Sequence, residues 1–219
     1  MELRDFEDFS AEGTLGKNRQ IYTRLYDYHR RRKDRQGMVG WLATDSQIRN
    51  FAHILPELRE GDSILDYGCG VGDLVPFIWS NLDDFDYLGV DINKKFIKDA
   101  SNTYPGFEFQ HIDSPMEVRG RFDLVVVLGV FTWYITRDDF RKTMRRLYAL
   151  TGRTMVVTCI NTKAQPHSWD ATYRGYSAGV FEDALPELVG KMRFKIKGAD
   201  LVVTIHKGEA QDEPMHEAQ

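Results

Sequence analysis

Between residues 63 and 160 short apolar runs alternate with stretches in which apolar residues recur every three or four positions. The runs are Ile64 to Tyr67, Tyr87 to Val90, Phe107 to Phe109, Leu124 to Leu128 and Met155 to Cys159. Strands alternating with helices in this way predict a parallel sheet covered on both faces. Phe122 to Val130 is apolar almost without interruption, which marks a central strand buried on both sides.

The two ends of the chain differ in texture. Met192 to Lys197 alternates apolar with basic residues, and Leu201 to Ile205 follows after Lys-Gly-Ala-Asp. That pattern predicts a terminal antiparallel hairpin at the edge of the sheet. Toward the N-terminus, Ile21, Leu25 and Tyr28 between charged residues suit an amphipathic helix over 17–35, ending near Gly37. A second helix is expected from Ser46 to Leu58, with Ile48, Phe51, Ala52 and Leu55 as its apolar stripe and Thr44 or Asp45 as its cap. The polar, acidic stretch from Gly208 to Gln219 is expected to be a disordered tail. The organisation that follows is a helical cap over 1–60, one α/β core over 61–207 and a tail over 208–219.

Composition narrows the function. A chain of 219 residues with 42% hydrophobic content buries one sizeable core. The formal net charge of -4 gives no global positive field toward nucleic acid or an anionic membrane. Cys69 and Cys159, the two cysteines, stand in apolar or glycine-rich surroundings without paired or metal-ligand spacing, and no metal site is expected. No uncharged stretch approaches the roughly 20 apolar residues of a membrane span, and the acidic N-terminus has no apolar leader. A cytoplasmic protein is expected.

The chemistry concentrates in Ile64-Leu65-Asp66-Tyr67-Gly68-Cys69-Gly70-Val71-Gly72-Asp73-Leu74, a strand running into a glycine-rich turn and then a helix. Glycines at 68, 70 and 72 permit a sharp turn and close approach of a ligand to the backbone. A dinucleotide fingerprint requires G-x-G-x-x-G, which would put its third glycine where Asp73 stands. Asp66, just inside the strand, would repel a pyrophosphate and attract an ammonium group. The second strand ends at Asp91, a carboxylate about 20 residues past the loop in the position that holds ribose hydroxyls.

These residues resemble the first motif of the class I S-adenosylmethionine-dependent methyltransferase superfamily, and the resemblance extends over about Asp62 to Cys159. It implies a Rossmann-like, doubly wound, mostly parallel seven-stranded sheet with the antiparallel hairpin at its C-terminal end and the helical cap at its N-terminal end. It also implies S-adenosylmethionine as cofactor and S-adenosylhomocysteine as product. By that likeness Asp66 and the backbone of Gly68, Cys69, Gly70 and Gly72 hold the methionine part. Asp91 accepts the ribose hydroxyls, Ile92 packs on the adenine, Asp113 accepts the adenine amino group, and the Gly129 backbone lies by the amino group and sulfonium. The plainer alternatives are that Asp91 caps the helix beginning near Asn93, that Asp113 initiates a turn before Pro115, and that Asp123 only solvates a strand edge.

The acceptor should enter over the C-terminal strand tips, between the loops there and the N-terminal helices. Those regions hold Tyr22, Tyr26, Trp41, Trp133, Tyr134, Trp169, Tyr173 and Tyr176, which suit a planar or cationic acceptor, although aromatics at helical spacing also serve as core. Tyr22, Tyr26, Trp133, Trp169 and Tyr173 are the candidate substrate contacts. His167, in the irregular segment after the fifth strand, and Tyr134 are the candidate catalytic groups. The chain lacks the Asn/Asp-Pro-Pro-aromatic tetrapeptide of base amino methyltransferases and the Pro-Cys nucleophile of cytosine carbon methyltransferases.

The expectation is therefore methyl transfer to a small-molecule acceptor, with no membrane partner and no assignment of oligomeric state. Two rivals stand beside it. One is an RNA or modified-nucleotide methyltransferase gripping phosphates through Arg30 to Arg35; the other is a cofactor-binding scaffold without turnover. A nicotinamide-dependent oxidoreductase is disfavoured by Asp66 and Asp73.

Overall fold

A computed structural model describes residues 44–132, 136–162 and 175–207. Among the described residues seven strands form one sheet: β1 (Asp62–Tyr67), β2 (Phe85–Asp91), β3 (Glu108–His111), β4 (Phe122–Leu128), β5 (Thr151–Ile160), β6 (Met192–Lys197) and β7 (Asp200–His206). Their order is β3-β2-β1-β4-β5-β7-β6. The first five run parallel, and β7 pairs antiparallel with both β5 and β6. Every expected strand is present, and the hairpin folds back so that β7, the later strand, lies inside β6.

The helices are α1 (Thr44–Phe51), α2 (Leu74–Trp79), α3 (Lys94–Thr103), α4 (Arg137–Leu150) and α5 (Ala178–Ala184). α4 shows how the sequence sets them. Thr136 caps it by accepting from the Asp139 amide at 3.1 Å, and Phe140, Thr143, Met144 and Leu147 make a buried stripe at helical spacing. Along β4 the side chains alternate between two cores. Val125 and Val127 pack with α4 and α5, while Leu124 and Val126 pack with α1 and α2. Burial on both faces is the reason this strand reads as a continuous apolar run.

The segment expected as a helix from Ser46 to Leu58 is α1 followed by a 3-10 turn over Ala52–Glu57. Its buried face is not the apolar stripe expected. Ile48 and Leu55 are 50% and 40% exposed, whereas Gln47, Asn50, Phe51 and Ile54 are buried. The helix is rotated so that two amides join Phe51 and Ile54 against the sheet.

Two ties fasten the opposite end of the sheet. Asp123 is exposed, but it does more than solvate an edge: its Oδ2 accepts from the Ser63 amide at 3.0 Å and from Ser63 Oγ at 2.6 Å. These bonds hold its carboxyl below the usual range. Arg153 on β5 meets the buried Asp62 of β1 at 2.7 Å and donates to the Glu57 carbonyl at 2.9 Å. Among the described residues no helix is long and apolar enough to cross a membrane.

Candidate functional site

The strand order reverses between β1 and β4, because the chain leaves β1 toward β2 and β3 and returns to β4 on the other side. At such a switch point the loops leaving the C-terminal strand ends part in opposite directions and open a crevice. The glycine loop leaves β1 there, and Gly129 and Val130 leave β4 beside it. The two tips touch: a Cβ on Gly68 would lie 2.3 Å from Val130 Cγ2. Gly68 also has φ +84°, so side-chain size and backbone conformation both demand glycine.

The loop is held by the end of β2. The amides of Gly68 and Cys69 donate to the Val90 carbonyl at 2.7 and 3.0 Å, and the amide of Gly70 donates to Asp91 Oδ2 at 3.0 Å. The other oxygen of Asp91 accepts from the Asn93 amide at 2.8 Å. Asp91 thus bridges the glycine loop and the start of α3, while the cap of α3 is Asn93, whose side chain accepts from the Lys95 amide at 3.0 Å. Burial pushes the Asp91 carboxyl up to about 6, opposed by the amides of Asn93, Gly70 and Ile92.

Asp66 is placed differently from Asp91. It is 4% exposed, on the same face of β1 as Ile64, and Oδ2 accepts from Tyr87 Oη at 2.7 Å. Burial pushes its carboxyl up to about 7, against the Tyr87 hydrogen bond, and the nearby Asp91 charge adds to the rise. Cys69 is buried, its thiol pushed well up by burial and by both carboxylates, so it carries no thiolate.

Ile92 follows Asp91, and the Ile112 amide donates to the Asp91 carbonyl at 3.1 Å, which brings the tip of β3 alongside. Asp113 lies just beyond, exposed, with Oδ1 3.3 Å from His111 Nε2. The 3-10 turn over Pro115–Glu117 is capped by Ser114 and not by Asp113: Ser114 Oγ accepts from the Met116 amide at 3.2 Å. At the tip of β4, Gly129 has φ +72°, and its amide donates to Thr158 Oγ1 at 3.1 Å. Residues 66 to 72, 91, 92, 113 and 129 are therefore gathered along the tips of β1, β2, β3 and β4.

The acceptor side is less completely described. Tyr22, Tyr26, Trp41, Trp133, Tyr134, His167, Trp169, Tyr173 and Arg30 to Arg35 lie outside the described residues. Tyr176 is described and takes the core alternative, not the pocket lining. It is 1% exposed and packs in an aromatic group with Phe131, Phe140 and Phe181. Sequence reasoning passed over Tyr87, Gln47, Asn50 and Thr158. A tyrosine in a strand and amides in a helix carry no signal that singles them out, and only the strand register brings Tyr87 near Asp66.

The family described as Methyltransferase domain matches residues 65–153, which run from the glycine loop to the start of β5. The protein 235L of Invertebrate iridescent virus 6, a methyltransferase by name, is 27% identical over 147 residues, 62% of this chain. The chain spans 56% of the length of that relative. Among solved structures, magnesium protoporphyrin IX methyltransferase from Synechocystis PCC 6803 superposes with a TM-score of 0.63 at 14% identity, covering 90% of this chain and 99% of the other. Phosphoethanolamine N-methyltransferase 1 of Haemonchus contortus gives 0.66 at 14% identity, covering 92% and 52%. Residues 65–153 thus match the methyltransferase domain family, and the strand order, with the glycine loop and Asp91 side by side at the switch point, gives the chain the Rossmann-like fold of these solved methyltransferases.

Proposed function

We propose that the protein transfers a methyl group from S-adenosylmethionine to a small-molecule acceptor by direct in-line displacement. The observation that carries this reading is the bridge from the Gly70 amide to Asp91 at the switch point. It sets a half-buried carboxylate beside a loop of three left-handed glycines. That donor set fits an adenosyl sulfonium compound: a carboxylate for ribose hydroxyls and a glycine-rich loop whose backbone can approach the amino-acid part closely.

In this reading Asp91 holds the ribose, Ile92 packs against the adenine and Asp113 accepts its amino group. The backbone from Gly68 to Gly72 and at Gly129 takes the methionine part, with Asp66 supporting the loop from beneath. The cofactor, when bound, supplies an activated methyl on a sulfonium whose departure is neutral. The protein's own task is then to hold the acceptor atom close, aligned and dry; such orientation supplies on the order of 7 to 11 kcal/mol in favourable cases. A proton acceptor is needed only for acceptors that must lose a proton, and His167 and Tyr134 remain its candidates. Small-molecule acceptors are supported by the names of the porphyrin and phosphoethanolamine enzymes that share the fold.

The test is calorimetric titration with S-adenosylmethionine, S-adenosylhomocysteine and NADH, followed by an acceptor screen with methyl-labelled donor. Binding of the two sulfur compounds alone, with label passing to small amines, phenols or carboxylates, is the expected result. Binding of NADH alone, or of none of the three, would overturn it. Label passing only to RNA would keep the donor and overturn the acceptor class.

A further inference from the structure

Gln47 and Asn50 are 5% and 2% exposed, unusual burial for amides on a helix. A buried amide is costly unless hydrogen-bonded, so its partners show what it is for. Gln47 Nε2 lies 3.3 Å from Asp73 Oδ2. Asp73 follows the last glycine of the loop, and its carboxylate makes no cap to α2. One turn along, Asn50 Oδ1 accepts from Thr158 Oγ1 at 2.7 Å, and the same hydroxyl oxygen shares the Gly129 amide with the Thr158 carbonyl, each 3.1 Å from it.

A hydroxyl has one proton. With that proton committed to Asn50, the lone pairs of Thr158 are turned toward Gly129, so Asn50 sets the direction of a bond it does not itself make. Residues three apart share a helix face. A single face of α1 therefore reaches both walls of the switch-point crevice: the exit of the glycine loop at Asp73 and, through Thr158, the tip of β4 at Gly129.

We infer that Asn50 is a positioning residue for the donor site, holding the Gly129 backbone through Thr158, with Gln47 as the matching tie at Asp73. The inference rests on the methyltransferase reading. Its consequence is that α1 sets the spacing of the two walls, so that affinity for the donor compounds depends on a helix that carries none of the family motif.

The test uses Asn50→Leu, Thr158→Val and their double variant, with Thr158→Ser as the control that keeps the hydroxyl. Titration with S-adenosylhomocysteine, melting temperature and amide exchange at Gly129 are measured on each. Loss of one buried hydrogen bond predicts affinity about five- to tenfold weaker for N50L and for T158V. The double variant should be no weaker than about either single one, and T158S should stay within about twofold of the parent. Gly129 exchange, slowed also by the Thr158 carbonyl that every variant keeps, should quicken modestly in N50L and T158V but not in T158S. Lower melting temperatures with unchanged affinity and unchanged Gly129 exchange would make the relay a plain staple and overturn the inference. Should N50L fail to fold, the T158V and T158S pair decides. If the parent protein binds neither sulfur compound, the methyltransferase reading fails, and Gly129 exchange alone then upholds or overturns the relay.

Discussion

The Tyr87 hydroxyl donates a 2.7 Å hydrogen bond to Oδ2 of Asp66 beneath the glycine loop, and both groups are buried. The Tyr87 ring is fixed between Phe107 and Phe109 by edge contacts with centroids 5.9 and 5.7 Å apart. Tyr87→Phe therefore keeps the packing and removes only the donor, leaving a buried carboxyl with one partner fewer. Chemical denaturation should show a loss of about 1 to 3 kcal/mol. A loss below a few tenths would mean that Asp66 finds another donor there.

The same carboxyl makes stability depend on pH. Burial raises its folded pKa to about 7, above the ordinary carboxylate value of 3.8, so the folded state holds a proton that the unfolded chain releases. Stability from this group is full at low pH and is lost as pH rises through about 7. The uncomplexed protein should thus lose on the order of a few kcal/mol from this source between about pH 4 and 8. Asp66→Asn should flatten the curve, and Tyr87→Phe should steepen it by removing the bond that favours the ionised form. Melting curves at a series of pH values read this directly; an Asp66→Asn profile parallel to the parent's would sink the assignment.

Gly89 faces the same buried region from β2. A Cβ there would meet Phe109 Cδ1 at 2.7 Å and Cys69 Sγ at 3.0 Å, with no positive φ to add strain. Gly89→Ala should therefore cost about 1 to 3 kcal/mol by overpacking alone. Phe109→Leu introduced with it should restore part of that loss, since the closer of the two clashes is relieved. Thermal melts of the two single variants and the double variant check the coupling, and additive effects would refute it.

The legible parts of this fold are those in which periodicity and burial coincide. β4 reads as a central strand because Leu124 to Val127 are buried on both sides, and the hairpin reads because Met192 to Lys197 alternates at an exposed edge. The glycine loop and Asp91 are legible because backbone geometry and a strand-tip carboxylate leave few other residue choices. The orientation of α1 is not legible because its buried face carries Gln47 and Asn50, and polarity patterns assign amides to solvent. Tyr176 stays ambiguous in the sequence because an aromatic after a strand looks the same whether it fills a core or a cleft. The Asp66 and Tyr87 pair depends on register between two strands, which a single sequence does not encode locally.

Asp91 sets the last expectation, because its two oxygens already accept from the Gly70 and Asn93 amides. Asp91→Ala would orphan both amides and loosen the loop, so Asp91→Asn is the sharper probe: it keeps one acceptor oxygen and removes the charge. Affinity for S-adenosylhomocysteine should fall at least about tenfold, equivalent to about 1.4 kcal/mol. In the free protein burial pushes this carboxyl up to about 6. Ribose hydroxyls donating to it favour the ionised form, so binding below that pH must expel a proton. Affinity should therefore rise as pH increases from about 5 to 7 and then level off, and calorimetry in buffers of different ionisation enthalpy should detect the proton released near pH 6. Asp91→Asn should lose most of that slope, while Asp66→Asn should keep it, because Asp66 is bonded to Tyr87 below the loop. A slope that follows Asp66 and not Asp91 would move the ligand-linked proton out of the ribose position and into the buried pair.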